Sequence, residues 1–283
     1  MHFTIITPTY NAEKFIEACI KSVQEQTFCN FEHLIIDGLS NDGTIGIAKQ
    51  YGGRFSNIKI IEEKDMGIYD AMNKGIKLAK HDWIFFLGAD DTFMNKDVLR
   101  KVDEIISKAK GHIFYGDVHF KKMNRIYDNQ FNIEKILTRN LPHQAIFYNK
   151  SVFNIIGAYD LVYRTQADYD LNLRCWLSGE IKHHYMDIVV ADYADGGVSS
   201  VQNDNKFIAD YPDKVTRLIL SGKWAAFKKI NFLSKAYRKI VQRYPNKILF
   251  AQVFCSEFFF VRFFAFFWMM ICSPIYVLKK LSN

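Results

Sequence analysis

Phe3-Thr4-Ile5-Ile6-Thr7-Pro8-Thr9-Tyr10-Asn11 is the stretch on which the fold turns. Residues 3–7 form a β-prone run too short for a helix, and Pro8 closes it, as suits a buried strand. Beyond it, Phe15, Ala18, Cys19 and Val23 fall on one helical stripe within residues 12–26. Working outward, residues 31–37 read as a strand closed by Asp37-Gly38 and the turn-rich segment 40–44, with a short helix to residue 51. Strand 58–62, helix 68–80, strand 83–87, helix 96–109 and strand 113–116 continue the pattern. Such alternation predicts right-handed βαβ units and an α/β fold with a mainly parallel, Rossmann-like sheet flanked by helices. Ligands of these sheets bind at the carboxyl ends of the strands. Those ends read Thr7-Pro8-Thr9-Tyr10, Asp37-Gly38, residues 62–65 and Asp90-Asp91, so polar and acidic groups collect on one edge.

Dinucleotide binding fails on the first turn. Residues 7–12 contain no glycine, and no phosphate-cradling G-x-x-x-x-G-K-[ST] loop occurs in the chain. Asp90-Asp91 offers another way to hold phosphates. Adjacent carboxylates repel, and a hard divalent cation shared with substrate phosphates relieves that repulsion. A helix cap is the structural alternative for this pair.

Composition narrows the classes further. Hydrophobic residues make up 49% and charged residues 24%, which excludes a disordered or collagen-like chain. The net charge of +7 is unevenly spread: residues 206–283 hold 14 Lys/Arg and 3 Asp/Glu, leaving residues 1–205 mildly acidic. That distribution argues against nucleic acid as the partner of the folded core. The five cysteines form no C-x-x-C pair, so neither a disulfide framework nor a zinc site is expected, and a reducing cytoplasm is the default. The amino terminus lacks a signal-peptide pattern.

Four segments occur in order: Ile5-Ile6-Thr7-Pro8-Thr9-Tyr10-Asn11, Ile36-Asp37-Gly38-Leu39-Ser40-Asn41-Asp42-Gly43-Thr44, Asp65-Met66-Gly67-Ile68-Tyr69-Asp70-Ala71-Met72-Asn73-Lys74-Gly75 and Leu87-Gly88-Ala89-Asp90-Asp91. Together they resemble the family 2 glycosyltransferases of the GT-A fold. More narrowly, they are similar to the bacterial enzymes that assemble O-antigen and other surface polysaccharides. The resemblance covers roughly residues 2–200. It implies a nucleotide-sugar donor, with Thr7, Thr9 and Asp37 on its base and ribose and Asp65 on the donor side. It also implies Asp91 as a ligand of Mn or Mg, with Asp90 nearer the ribose. Where many relatives carry an acidic residue this chain has Gly88, so coordination rests on the last pair. Asn73 and Lys74 are further candidates for the donor side, and Asp37 has an alternative reading as a turn residue.

Inverting transfer needs a carboxylate to take the acceptor hydroxyl's proton. Thr165-Gln166-Ala167-Asp168-Tyr169-Asp170-Leu171 resembles the family's acidic motif, which implies Asp168 as the base, on a helix expected over residues 168–177. Asp170 is the rival, but residues two apart on a helix do not share a face. His143 and Gln144 are candidates for an acceptor or diphosphate contact, and Asp117 for an acceptor contact or a turn. His183-His184 reads as structural. The absence of a Q-x-x-R-W motif points to one sugar added per encounter.

The expected division is a catalytic domain over residues 1–205, its donor half 1–116 and acceptor half 117–205, followed by a tail over 206–283. Residues 206–247 carry eleven Lys/Arg, and residues 263–278 are sixteen uncharged, Phe-rich residues interrupted by Pro274. That run is shorter than the roughly 20 residues of a bilayer span. A helical, membrane-associating tail on an anionic surface is therefore expected, peripheral on the cytoplasmic face of a bacterial inner membrane, beside a lipid-linked acceptor. A tail packed on the core and a true span are the alternatives. Two other function classes remain open at this point: a sugar-nucleotide nucleotidyltransferase and a non-catalytic nucleotide-sugar binding module.

Overall fold

A computed structural model describes residues 3–127, 129–194 and 204–223, with Lys229, Phe232 and Leu233. The chain divides into two compact units, one of residues 1–130, 141–171 and 181–204, the other of 131–140, 172–180 and 205–283.

The first unit holds the whole sheet, built from β1 (Phe3–Thr9), β2 (Phe31–Asp37), β3 (Ile58–Glu62), β4 (Trp83–Phe86), β5 (Thr92–Phe93), β6 (Ile113–Phe120), β7 (Arg125–Tyr127), β8 (Ile146–Asn149) and β9 (His183–Tyr193). The strand order is β3-β2-β1-β4-β8-β6-β9-β5, with β7 paired to β6. On the β3-β2-β1-β4 side every pairing is parallel. On the other side β8 runs antiparallel to β4 and β6, and β6 lies parallel to β9. The parallel part predicted from strand–helix alternation is thus confined to the first four strands. Beyond them the sheet is mixed.

β1 and β2 are buried along their entire lengths; β1 reads as an apolar and β-branched run, whereas β2 also buries Glu32, His33 and Asp37. Phe147 of β8 stacks on Phe85 of β4 with ring centroids 4.4 Å apart and meets Phe3 of β1 edge-on at 5.7 Å. These aromatics tie the parallel and mixed parts together through one core.

Helix α1 (Ile16–Gln24) buries Ile16, Cys19, Ile20 and Val23. The expected stripe was right in Cys19 and Val23 but wrong in Phe15 and Ala18, which are exposed. The helix starts later than expected, because residues 12–15 form a turn closed by Phe15 N–H donating to the Ala12 carbonyl. Helices α2 (Thr44–Gly52), α3 (Ile68–Leu78), α4 (Val98–Ile106) and α6 (Ser151–Ile156) complete the unit. The second unit contains α5 (Ile133–Ile136), the later part of α7 (Ala167–Ser178), and α8 (Asn205–Ser221). Within it, the Tyr211 hydroxyl donates to the Leu137 carbonyl at 2.8 Å, and Asn172 Nδ2 donates to Asn140 Oδ1 at 2.8 Å. Helix α8 therefore associates with segments inside the expected acceptor half. Residues 234–283, including the aromatic run of the expected tail, lie outside the described residues. Among the described residues no helix is long and apolar enough to cross a membrane.

Candidate active site

The first two strand ends are zipped to each other. Asn11, held at φ 49°, accepts the Asn41 N–H through Oδ1, and its own N–H donates to Ser40 Oγ at 2.8 Å. Ala12 N–H donates to Thr44 Oγ1 at 2.7 Å. The turn-rich segment 40–44 thus serves as the mould for the loop after β1.

Asp37, at the end of β2, is fully buried and accepts both the N–H (2.8 Å) and the hydroxyl of Ser40. It therefore has the turn role; any donor contact is additional to it. Gly38 follows for a steric reason: a Cβ there would stand 2.5 Å from Asp65 Oδ2. Asp65 in turn accepts the Gly67 N–H at 2.9 Å, so it lies against the Asp37 turn at the head of α3.

The two threonines of β1 separate. Thr7 is fully buried, with its hydroxyl 3.0 Å from His33 Nε2 and 3.8 Å from Cys19 Sγ. Burial pushes His33 down to about 3, so that imidazole is neutral and Thr7 belongs to the sheet interior. The Thr7 hydroxyl is thus engaged within the sheet, whatever contact the residue makes with a donor. Thr9, level with Asp37 in the pairing of β1 and β2, keeps a buried hydroxyl without a hydrogen-bond partner. Asn73 is also taken up structurally, donating to the Tyr159 carbonyl at 2.9 Å and accepting its N–H at 3.0 Å. Burial opposes the charge of Lys74, but Glu63, Asp70 and Asp65 together hold it above its ordinary value.

At the end of β4 the two aspartates differ. Asp91 is buried, whereas Asp90 is part-exposed. Asp91 accepts from Gln144 Nε2 at 2.7 Å and from the Ala194 N–H at 2.9 Å, so it does not cap a helix. Burial, then the charge of Asp90, pushes its carboxyl up to about 6. Both carboxylates fold over Gly88, where a Cβ would meet Asp91 Oδ2 at 2.6 Å and Asp90 Oδ1 at 3.0 Å. An acidic side chain in place of Gly88 would collide with the pair it is meant to assist. The crowded, mutually repelling carboxylates fit a divalent cation, whose charge would reverse the upward shift of Asp91. Among the described residues no group of three or more His, Cys, Asp or Glu forms a fuller cage.

Gln144 sits in the 3-10 turn His143–Ala145, and its neighbour points at the expected base. His143 Nδ1 is 3.6 Å from Asp168 Oδ2, and neither ring nitrogen makes a hydrogen bond. Asp168 lies in the first turn of α7, where Oδ1 accepts the Tyr69 hydroxyl at 3.0 Å and the Tyr169 N–H at 2.8 Å. Asp170 is fully buried. His143-Gln144 therefore joins the expected base to the Asp90-Asp91 loop. Asp117, on β6, accepts the Tyr185 hydroxyl at 2.8 Å. His184 stacks on Phe114 at 4.8 Å, in keeping with a structural role. Sequence reasoning missed Tyr69 and the Ala194 N–H. Tyr69 was visible only as the aromatic of Gly67-Ile68-Tyr69-Asp70, and nothing local marks a backbone amide 103 residues away from its acceptor.

Residues 4–162 match the family model described as Glycosyl transferase family 2. A "PGL/p-HBAD biosynthesis glycosyltransferase" of Mycobacterium bovis is 39% identical over 214 residues, covering 74% of this chain and 84% of the relative. The crystal structure of S. aureus TarS 1-349 in complex with UDP-GlcNAc superposes with a TM-score of 0.73 at 19% identity, covering 86% of this chain and 73% of that one. A mannosyltransferase from Pyrobaculum calidifontis, solved with GDP-Man and Mn2+, gives a TM-score of 0.58 at 13% identity, covering 94% and 85%.

Proposed function

The chain belongs to glycosyl transferase family 2 and is a glycosyltransferase. On that premise we propose that it transfers one sugar, with inversion and with help from a divalent metal, from a nucleotide-sugar to a lipid-linked saccharide. UDP is the preferred nucleotide of the proposal, ahead of dTDP and GDP, and the pathway is bacterial surface-polysaccharide assembly. The observation that carries this reading is the dipeptide His143-Gln144, which touches Asp91 with one residue and faces Asp168 with the other. A proton acceptor and a phosphate-side carboxylate are thereby held in one neighbourhood. The ligands bound by the two fold neighbours, UDP-GlcNAc in one and GDP-Man with Mn2+ in the other, support a nucleotide-sugar donor and a divalent cation.

In this mechanism Asp168 takes the proton from the acceptor hydroxyl as that oxygen attacks the anomeric carbon. The bond from the anomeric carbon to the phosphate oxygen breaks, and nucleoside diphosphate leaves with the electron pair. Asp91, with Asp90, would hold Mn or Mg, which when bound supplies charge stabilisation to the departing diphosphate. Thr9, Asp37 and Asp65 make the donor side, while His143, Gln144 and Asp117 are assigned to the acceptor side. The basic, aromatic tail would keep the enzyme on the cytoplasmic face of the inner membrane beside its acceptor.

The test is a panel of UDP-, dTDP- and GDP-sugars with and without Mn, read by melting temperature and by product. Expected are a metal-dependent shift with one nucleotide class and release of nucleoside diphosphate with inverted product. Pyrophosphate as product would instead establish a nucleotidyltransferase. Donor binding without transfer or hydrolysis would establish a binding module. For the membrane assignment, full-length protein should sediment with anionic vesicles, with a charge-driven part lost as salt rises.

A further inference from the structure

We infer that Tyr69 is a positioning residue for the base, holding the Asp168 carboxylate through a buried hydrogen bond from α3. The inference rests on the reading of Asp168 as the proton acceptor. Tyr69 is 5% exposed, and its hydroxyl donates to Asp168 Oδ1 at 3.0 Å across 99 residues of chain. That oxygen also accepts the Tyr169 N–H, so the carboxylate is fixed in rotation by one donor from its own helix and one from α3. A hydrogen bond to an ionised group in a dry environment is stronger than a neutral one, and its loss is correspondingly costly.

Helix α3 is itself fixed at both levels. One turn after Tyr69 on the same face, Asn73 clamps the backbone of Tyr159 through both its carbonyl and its N–H. The Tyr159 ring lies on the Tyr69 ring with centroids 5.3 Å apart. The phenol is therefore wedged in place before it reaches Asp168. At its amino end the same helix begins at Gly67, whose N–H is held by Asp65 beside the Asp37 turn. One rigid element thus runs from the donor-side carboxylate to the base, and its aromatic fixes the orientation of the base.

Tyr69→Phe in the full-length enzyme tests this, since the ring and its packing on Tyr159 stay while the hydroxyl goes. With the donor that the wild type accepts, kcat should fall on the order of tenfold, as expected for a lost hydrogen bond to a carboxylate. The donor KM, and the melting shift given by UDP or GDP with Mn, should change by less than about twofold, since a positioning defect does not act on ground-state binding. Tyr51→Phe, which removes a hydroxyl donated to Glu17 outside the site, should leave turnover unchanged. An undiminished kcat in Tyr69→Phe, or a donor KM rising in step with the loss, overturns the positioning role. Asp168→Asn run alongside separates the two readings. If that variant turns over normally, the base assignment is what falls. If it is inactive beside a fully active Tyr69→Phe, only the role of Tyr69 falls.

Discussion

The carboxylates Asp37 and Asp168 are both buried at helix or strand ends, yet they are held in opposite ways. Asp37 takes its two donors from Ser40, three residues on, within a turn that its own sequence specifies. Asp168 takes one donor from Tyr69, 99 residues away, and faces His143 from a third segment. The donor side is thus a set of local turns mounted on consecutive parallel strands. The base side is an assembly of distant segments. Local turns tolerate loss of one bond because the chain itself keeps the geometry, whereas a distant pair loses both the bond and its alignment.

The largest effect expected from this contrast is at the base. Asp168→Asn should lower turnover by at least about 10²-fold while donor binding stays near wild type, measured by steady-state kinetics and ligand-induced melting shifts. Asp170→Asn should act chiefly on the melting temperature, since that side chain is fully buried. The reverse pattern would exchange the two roles.

Asp91 follows. Asp91→Asn should abolish most metal-dependent transfer, and it should also change how the metal-stripped protein responds to pH. The folded-state value of about 6 lies above the ordinary 3.8, so the folded protein binds that proton more tightly than the unfolded chain does. Stability from this group is therefore full below about pH 4 and is lost as pH rises to about 6, by on the order of 3 kcal/mol. In chelator, wild type should melt lower at pH 7 than at pH 5 by more than Asp91→Asn does. Equal pH responses would show that the carboxylate is not strained in the fold.

Gly88→Ala should come next, because its Cβ would stand 2.6 Å from Asp91 Oδ2. Weaker Mn dependence with near-normal folding is expected, and a titration of activity against Mn checks it. Smallest is Ser40→Ala on the donor side. It removes one hydroxyl from Asp37 while the Ser40 N–H remains, so a loss of about 1 kcal/mol is expected, read as a several-fold rise in donor KM. A loss as large as that of Asp168→Asn would erase the distinction between the two sides.

The parallel strands and the motifs that follow them were legible in the chain's own pattern. Short strands of four to seven residues alternating with amphipathic helices leave a pattern that single segments display, and Asp37-Gly38 and Asp90-Asp91 follow the ends of two of those strands. Even here a boundary was not secure: Phe15 is apolar but exposed, because it lies in the turn that precedes α1 and not on that helix's buried stripe. The rest depended on how distant segments pack together. The mixed half pairs β8 between β4 and β6, and β9 beyond β6, an order no local pattern encodes. That packing also decided that Thr7 faces His33 inside the sheet while Thr9 reaches the edge, and that Asp168 is met by Tyr69 and His143. The physical reason is the same in each case. Hydrogen bonds and packing between segments tens of residues apart depend on strand order and register, which the whole core sets at once.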